Sequence, residues 1–383
     1  MKVSKLKSNT RVDRSAYNLS QKIRLYGEGN TYPQDLRNLV NASRTAKACV
    51  VTESKFVRGA GFSFEPLNQI KVGKRTTLFK LHGQIVEDYT KFNGFAIHIN
   101  YNGLLQEIGY SLVPFENCRL EVDAEKNATG RIAVHSDWAK ESGKPFKASE
   151  IEYFSQYTAD KNELKKIIIA EGGFDKFKGL IYYFSESSEA YPESPLDAIR
   201  ELMAAQASAD NIRVRNVKFN YLPSGILYKK SGRERANIDD DSADDDSQDG
   251  EFADSIEKWQ GDENAAKIIV VEQDLDEEDL KFVPFPQQNL DKFSENTDKT
   301  VDEGIRSFMG IPPELLGREG GRGFASETMQ DAYNFYNSIT DSERTSLEEA
   351  YNEIFGALMV KAGATEIKIQ PLTYNYAKPN SAI

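Results

Sequence analysis

Apolar positions in this chain change their spacing several times, and each change marks an element. Residues 1–31 mix Lys, Arg, Ser and Asn with little apolar content and no period, which predicts a flexible N-terminal arm. From Tyr32 the spacing turns helical. Leu36, Leu39, Val40, Ser43, Ala46, Ala48, Val50 and Val51 share one face, Pro33 suits a first helical turn, and Gly59 and Gly61 stop the run. One long helix, with room for a single break, is expected.

The next hundred residues favour strands. Thr77 to Leu81, Phe95 to Tyr101, Gly109 to Pro114 and Arg119 to Val122 are short runs rich in β-branched and aromatic residues, and Asn93-Gly94 and Asn102-Gly103 carry the hairpin signal. Further strands are predicted at Ile151 to Tyr157, Lys166 to Ala170 and Leu180 to Phe184. The texture is that of an α+β domain with antiparallel pairing.

Two long helices follow, with a small module between them. Ser194 is placed to cap a helix with Pro195 at its first position, and Leu196 to Phe219 then runs without Gly or Pro. At about 1.5 Å per residue this predicts a rod of roughly 36 Å. Strands are expected at Ile226 to Tyr228, Lys267 to Glu272 and Leu280 to Phe285, with a short helix at Ser255 to Trp259. Between Asp239 and Asp254 lie eight Asp and one Glu, which read as a solvated, self-repelling loop. An EF-hand register puts Ile256 where the bidentate Glu belongs, so calcium is rejected.

From Gln288 a second helix carries Leu290, Phe293, Thr297, Val301, Ile305 and Phe308 at helical spacing up to Gly310. The adjacent Pro312 and Pro313 forbid its continuation, and the glycines from Gly317 to Gly323 release the chain. A last helical region spans Ser326 to about Lys361, with a kink predicted at Thr340-Asp341-Ser342. The tail from Glu366 holds one short strand.

Length and charge narrow the function. The 383 residues allow two or three domains, and the two cysteines, Cys49 and Cys118, fit neither a disulfide framework nor a metal motif. Neither a secretion signal nor a membrane span is predicted, because the longest aliphatic runs, Ile167 to Ala170 and Ile268 to Val271, are only four residues. The formal charge of −12 argues against a nonspecific nucleic-acid coat, since phosphate binding relies on Lys and Arg, but leaves room for local basic patches.

Catalytic chemistry is hard to locate. His82, His98 and His135 form no HExxH pair, no GxSxG elbow is present, and neither cysteine has an identifiable base. Neither a metal, a cofactor nor an enzyme activity is expected. The Gly317 to Gly323 loop is the one phosphate-cradle candidate, and an alternative reading makes the chain a cytoplasmic enzyme that binds a phosphorylated ligand there.

Three stretches together resemble the portal proteins of tailed bacteriophages. Phe308-Met309-Gly310-Ile311-Pro312-Pro313-Glu314-Leu315-Leu316-Gly317 is similar to that family's aliphatic-Pro-Pro-x-Leu-Leu-Gly signature. Tyr191 to Leu196 resembles its lead into a long helix, with Pro192 and Glu193 in place of a Gly spacer. Gly94 to Ile99 followed by Leu112-Val113-Pro114 resembles two of its strands. The resemblance implies a portal fold in which 32–192 is a mixed α/β wing, 193–220 and 287–310 are stem helices, and 221–286 is the small α/β clip with the acidic loop. It further implies a tunnel loop at 311–326, a kinked wing helix at 327–361 and a minimal crown in the tail 362–383. It makes Ser194, Pro195, Leu196, Ile311, Pro312, Pro313, Leu315, Leu316 and Gly317 structural signature residues. Arg318, Gly320, Gly321, Arg322 and Gly323 would face a DNA channel. The implied function is a twelve-membered homo-oligomeric ring at one capsid vertex, through which double-stranded DNA is packaged and ejected. Its implied partners are the terminase motor, capsid or scaffold proteins and neck proteins. Its implied locations are the virion and, during assembly, the host cytoplasm.

Overall fold

The computed structural model describes residues 17–138, 147–186, 191–218, 225–230, 268–273, 280–284, 290–317 and 326–374. The chain divides into two compact units, one made of residues 1–201 and 304–383 and the other of 202–303.

In the first unit, strands β1 (Tyr17–Asn18) and β2 (Ile23–Arg24) precede helices α1 (Tyr32–Ala42) and α2 (Arg44–Arg58). The expected long helix breaks at Ser43, whose extended backbone ends α1 while its hydroxyl accepts from the Ala46 amide and caps α2. After β3 (Gly61–Phe62) and α3 (Glu65–Gln69) comes α4 (Leu78–Phe92). Here the strand expected at Thr77 to Leu81 is corrected. Thr77 accepts from the Lys80 amide as an N-cap, and Leu78, Leu81, Ile85, Val86 and Tyr89 form a buried face at helical spacing.

The remaining strands of this unit are β4 (Gly94–Tyr101), β5 (Glu107–Val113), β6 (Cys118–Val122), β7 (Ala128–Val134), β8 (Glu152–Gln156) and β9 (Leu180–Ser185). They form one eight-stranded sheet in the order β1-β2-β6-β7-β8-β9-β4-β5. Pairing is antiparallel except between β8 and β9, which run parallel. Helix α5 (Lys161–Ala170) occupies the stretch where Lys166 to Ala170 was expected to be a strand. Its aliphatic run is bracketed by the Asp160 N-cap, and Leu164 and Ile168, four apart, are the buried pair.

The two Asn-Gly pairs part company. Asn102-Gly103 does lie in the β4–β5 hairpin, where the Asn102 carbonyl oxygen of the side chain accepts from the Leu104 and Gln106 amides. Asn93 instead adopts the left-handed conformation that ends α4, and Gly94 starts a strand. A Cβ at Gly94 would sit 2.6 Å from the Phe115 ring, so the glycine serves close packing, not a hairpin turn.

Strand β4 is the centre of the core. Phe95, Ile97 and Ile99 point to one face, where Leu81, Ile85 and Tyr89 of α4 gather with Leu347, Tyr351 and Ile354. Ala96 points to the other face with Cys118, Ile132 and Ile181. Burial of a large apolar side chain is worth about 1.5–3 kcal/mol, so this two-sided strand concentrates much of the unit's stability.

The second unit contains most of helix α6 (Arg200–Lys218), a three-stranded sheet and the first part of helix α7 (Leu290–Phe308). Its strands are β10 (Gly225–Lys230), β11 (Ile268–Gln273) and β12 (Leu280–Pro284), with β10 in the middle, parallel to β11 and antiparallel to β12. The acidic run 239–254 and the expected helix at Ser255 to Trp259 lie outside the described residues. Helix α7 returns the chain to the first unit. There α8 (Ser326–Ile339), α9 (Asp341–Ile354) and α10 (Gly356–Ala362) follow, and β13 (Ile369–Gln370) pairs with β3. The kink expected near Thr340 is present, and a second break falls at Phe355.

Candidate functional site

The two proline-containing signatures both lie at helix ends, and their surroundings differ. At the first, Ser194 adopts extended backbone before a 3-10 turn over Pro195–Ile199, and its hydroxyl accepts from the Leu196 amide at 3.1 Å. The same hydroxyl donates to the Lys91 carbonyl at 2.5 Å, and the Ser194 amide donates to the Tyr32 phenol at 3.1 Å. Leu196 is fully buried. The start of this helix is held inside, with Ser194, Leu196 and Asp197 all buried.

The chain leading into it is fixed by the segment that was expected to be a flexible arm. Residues 17–31 instead form two strands of the sheet, and Ile23 and Tyr26 are completely buried. The Tyr26 ring stacks on Tyr191 at 4.1 Å and on Tyr32 at 5.0 Å, while its hydroxyl donates to the Pro192 carbonyl at 2.7 Å. Tyr191 donates to the Arg24 carbonyl and accepts from the Leu120 amide. Burial pushes the Tyr191 phenol up to about 12, with Arg119 opposing, so both tyrosines act as hydrogen-bonding anchors. The arm's polar composition hid this, and its one legible signal was aromatic: Tyr17, Tyr26 and Tyr32 in an otherwise apolar-poor stretch.

Arg119 closes the cluster. Its guanidinium is buried and donates to the backbone carbonyls of Asn30, Glu116 and Cys118 at 2.7–2.9 Å and to the side-chain oxygens of Asn30 and Gln34. It also faces the Tyr26 ring at 5.6 Å and the Trp138 ring at 5.3 Å. Neutral carbonyls and ring faces therefore stabilise this cation where a carboxylate would usually stand. Nearby, Asp197 is buried 3.6 Å from Arg200, and desolvation raises its carboxyl above the ordinary range against the pull of that arginine.

The second signature is more open. Helix α7 ends at Phe308, Gly310 turns with φ of 60°, and Ile311 is buried. Pro312 then sets extended backbone before a 3-10 turn over Pro313–Leu316, and Gly317 ends that turn in the left-handed region at φ 66°. Leu315 and Leu316 are half-buried. Beside the turn runs a groove of about 540 Å³, lined by Arg306, Gly310, Pro312, Asp331, Ala332 and Phe335 among others. Phe335, which lines it, is 57% exposed, and Phe308 and Ile339 nearby in the chain are 47% and 39% exposed. Helix α8 is held on α2 by Phe56, whose ring lies 5.0 Å from Tyr333 and 4.9 Å from Tyr336. Arg318, Gly320, Gly321, Arg322 and Gly323 lie outside the described residues. The phosphate-cradle and channel readings of that loop therefore have no described geometry.

Within the second unit, α6 and α7 meet through polar contacts. Gln206 donates to Asp302 at 2.5 Å, and Arg213 pairs with both Asp298 and Asp210.

The histidines and cysteines are held structurally. His82 is buried between the Tyr351 hydroxyl at 2.8 Å and the Arg58 carbonyl at 3.0 Å, and burial lowers it to about 4, which keeps it neutral. His98 bonds the Lys178 carbonyl, and the His135 ring nitrogen accepts from the Asp137 amide. Both thiols are buried, and burial pushes Cys118 up to about 12, far from a thiolate at neutral pH. Among the described residues no group of three or more His, Cys, Asp or Glu could hold a metal ion, and no helix is long and apolar enough to cross a membrane.

No family model matches the chain, and no curated protein sequence matches it. Among solved structures the chain is similar to one in the virion of a native gene transfer agent particle, at 12% identity over 88% of this chain and 83% of that one, with a TM-score of 0.46. It is similar to another in the neck of an empty gene transfer agent particle computed with C6 symmetry, at 14% identity over 88% and 84%, with a TM-score of 0.47. It is also similar to an HK97 family phage portal protein from Corynebacterium diphtheriae, at 10% identity over 78% and 83%, with a TM-score of 0.36.

Proposed function

We propose that this chain is a portal-type structural subunit, whose copies close into a ring at one capsid vertex and leave a channel for double-stranded DNA. The observation that carries this reading is the placement of the two signature turns. Ser194-Pro195-Leu196 opens the helix that enters the unit of residues 202–303, and Ile311 to Gly317 closes the helix that leaves it. The signature residues thus punctuate a module inserted between two long helices, as the resemblance requires.

On this reading residues 32–192 and 327–361 are the wing, 193–220 and 287–310 the stem, 221–286 the clip and 311–326 the tunnel loop, with 362–383 a minimal crown. The β1–β2 segment joins the wing. The open groove beside Pro312, with Phe335 exposed in it, supports contact with a neighbouring copy, because an exposed apolar patch suits a protein interface. The ring works in the virion and meets a terminase motor, capsid and neck proteins there, and its role is mechanical, not catalytic. Negative-stain microscopy and native mass spectrometry of the full chain test it. Rings with a central hole are expected. Monomers alone, at high protein concentration and across a range of salt, would overturn it.

A further inference from the structure

The chain as a whole is acidic, yet residues 70–86 contain Lys71, Lys74, Arg75 and Lys80 and not one Asp or Glu. The structure gathers these cations at one rigid tip. The Lys71–Thr77 bridge closes a tight loop, the Val72 and Gly73 amides both donate to the Thr76 carbonyl, and the Leu78 amide donates to the Ile70 carbonyl as α4 begins. Lys71, Lys74, Arg75 and Lys80 are all exposed, and none has an ion-pair partner among the described residues. Arg58 flanks them with its guanidinium 4.1 Å from the Phe79 ring centre, on an aromatic face instead of a carboxylate.

From this we infer that the Lys71–Lys80 tip is a binding site for the phosphodiester backbone of nucleic acid, read without regard to sequence. Residues 71–80 themselves expose no large apolar side chain of the kind a protein partner would take as a buried anchor, whereas point charges on a stiff turn suit a row of phosphates. The site does not depend on ring formation.

The test is fluorescence anisotropy of the full chain with random-sequence duplex DNA between 50 and 200 mM salt. Each phosphate neutralised contributes about −0.9 to the slope of log affinity against log salt, so K71A/K74A/R75A is expected to flatten the slope by roughly 2.7. K161A/K165A on α5, which also removes exposed lysines, is expected to leave the slope unchanged. An unchanged slope in the tip variant, an equal change per charge in both variants, or equally tight binding of wild type to polyglutamate would each overturn the assignment. Rings seen by microscopy without tip-dependent DNA binding would leave the portal reading standing, and tip-dependent binding by a chain that forms no rings would do the reverse.

Discussion

The two signature turns present opposite surfaces. Around Ser194 the side chains are buried, the hydroxyl is shared between two backbone groups, and a stack of three tyrosines and one arginine seals the approach. Of the signature residues Ile311 to Gly317 one, Ile311, is buried, while Phe335 stands more than half exposed over an open groove. The same chemistry, a proline placed next to a helix end, stands in one case in a sealed turn and in the other beside an open surface. The sealed and the open turn thus rest on different residues, and on the portal reading substitutions should separate stability from assembly.

The largest effect is expected at Arg119. Arg119→Ala strips its hydrogen bonds from buried carbonyls and opens a cavity among Tyr26, Trp138 and Cys118, for an expected loss of at least about 3 kcal/mol in urea denaturation. A loss below about 1 kcal/mol would mean that the sealed turn is no more demanding than the open one. Tyr26→Phe keeps the ring stack and removes only the bond to the Pro192 carbonyl, for an expected cost of about 1–1.5 kcal/mol in the same assay.

An effect of pH belongs to the back of the open region, where α8 lies on α2. Burial, reinforced by the charge of Glu343, raises the Glu53 carboxyl from 4.5 to about 8. The folded form therefore holds this proton more tightly than the unfolded chain. Its contribution is complete below about pH 4.5 and is lost as pH climbs to about 8. Thermal melting followed across that window should show Glu53→Gln flattening the decline. A wild-type profile of unchanged slope in the variant would remove Glu53 from the account.

The smallest effect on stability is expected at Phe335. Phe335→Ser should change the unfolding free energy by no more than about 0.5 kcal/mol, because the side chain is mostly in solvent, yet lower the fraction of rings in native mass spectrometry. Equal ring fractions would show that the groove is not an assembly surface.

How much of this could be read from the residues follows from where the determining contacts lie. Elements fixed by local chemistry were legible: the Ser194 cap, the rod after it, the Pro312-Pro313 stop, and β4, β5, β6, β8 and β9. Elements whose local signals conflict, or whose determining contacts lie far along the chain, were not. Lys166 to Ala170 has the composition of a strand, and only the Asp160 cap and a helical pair of buried residues reveal α5. Asn93-Gly94 has hairpin chemistry, but the asparagine's tolerance of the left-handed region was used to end α4. Residues 17–31 look solvated because the groups they satisfy, on Leu120, Tyr191 and Pro192, are far along the chain. The basic tip is plain in the residues between Ile70 and Val86, although the overall charge of −12 masks it.

The Tyr26–Pro192 bond joins residues 166 positions apart, and that separation has a consequence in time. At the ribosome's pace of about 5–20 residues per second, Tyr26 is made on the order of 8–33 s before the carbonyl it will bind. For the first part of that interval β6 is also unmade, and until its end the stack's central ring has no Tyr191 to rest on. The ring stack that pins the first described strands can therefore close only after Tyr191 is made, whatever pairing with β6 forms before it. A chain with Tyr26 stacked on Tyr191 is one in which every strand of the eight-stranded sheet has been made, so this contact reports that synthesis has reached the approach to the long helix.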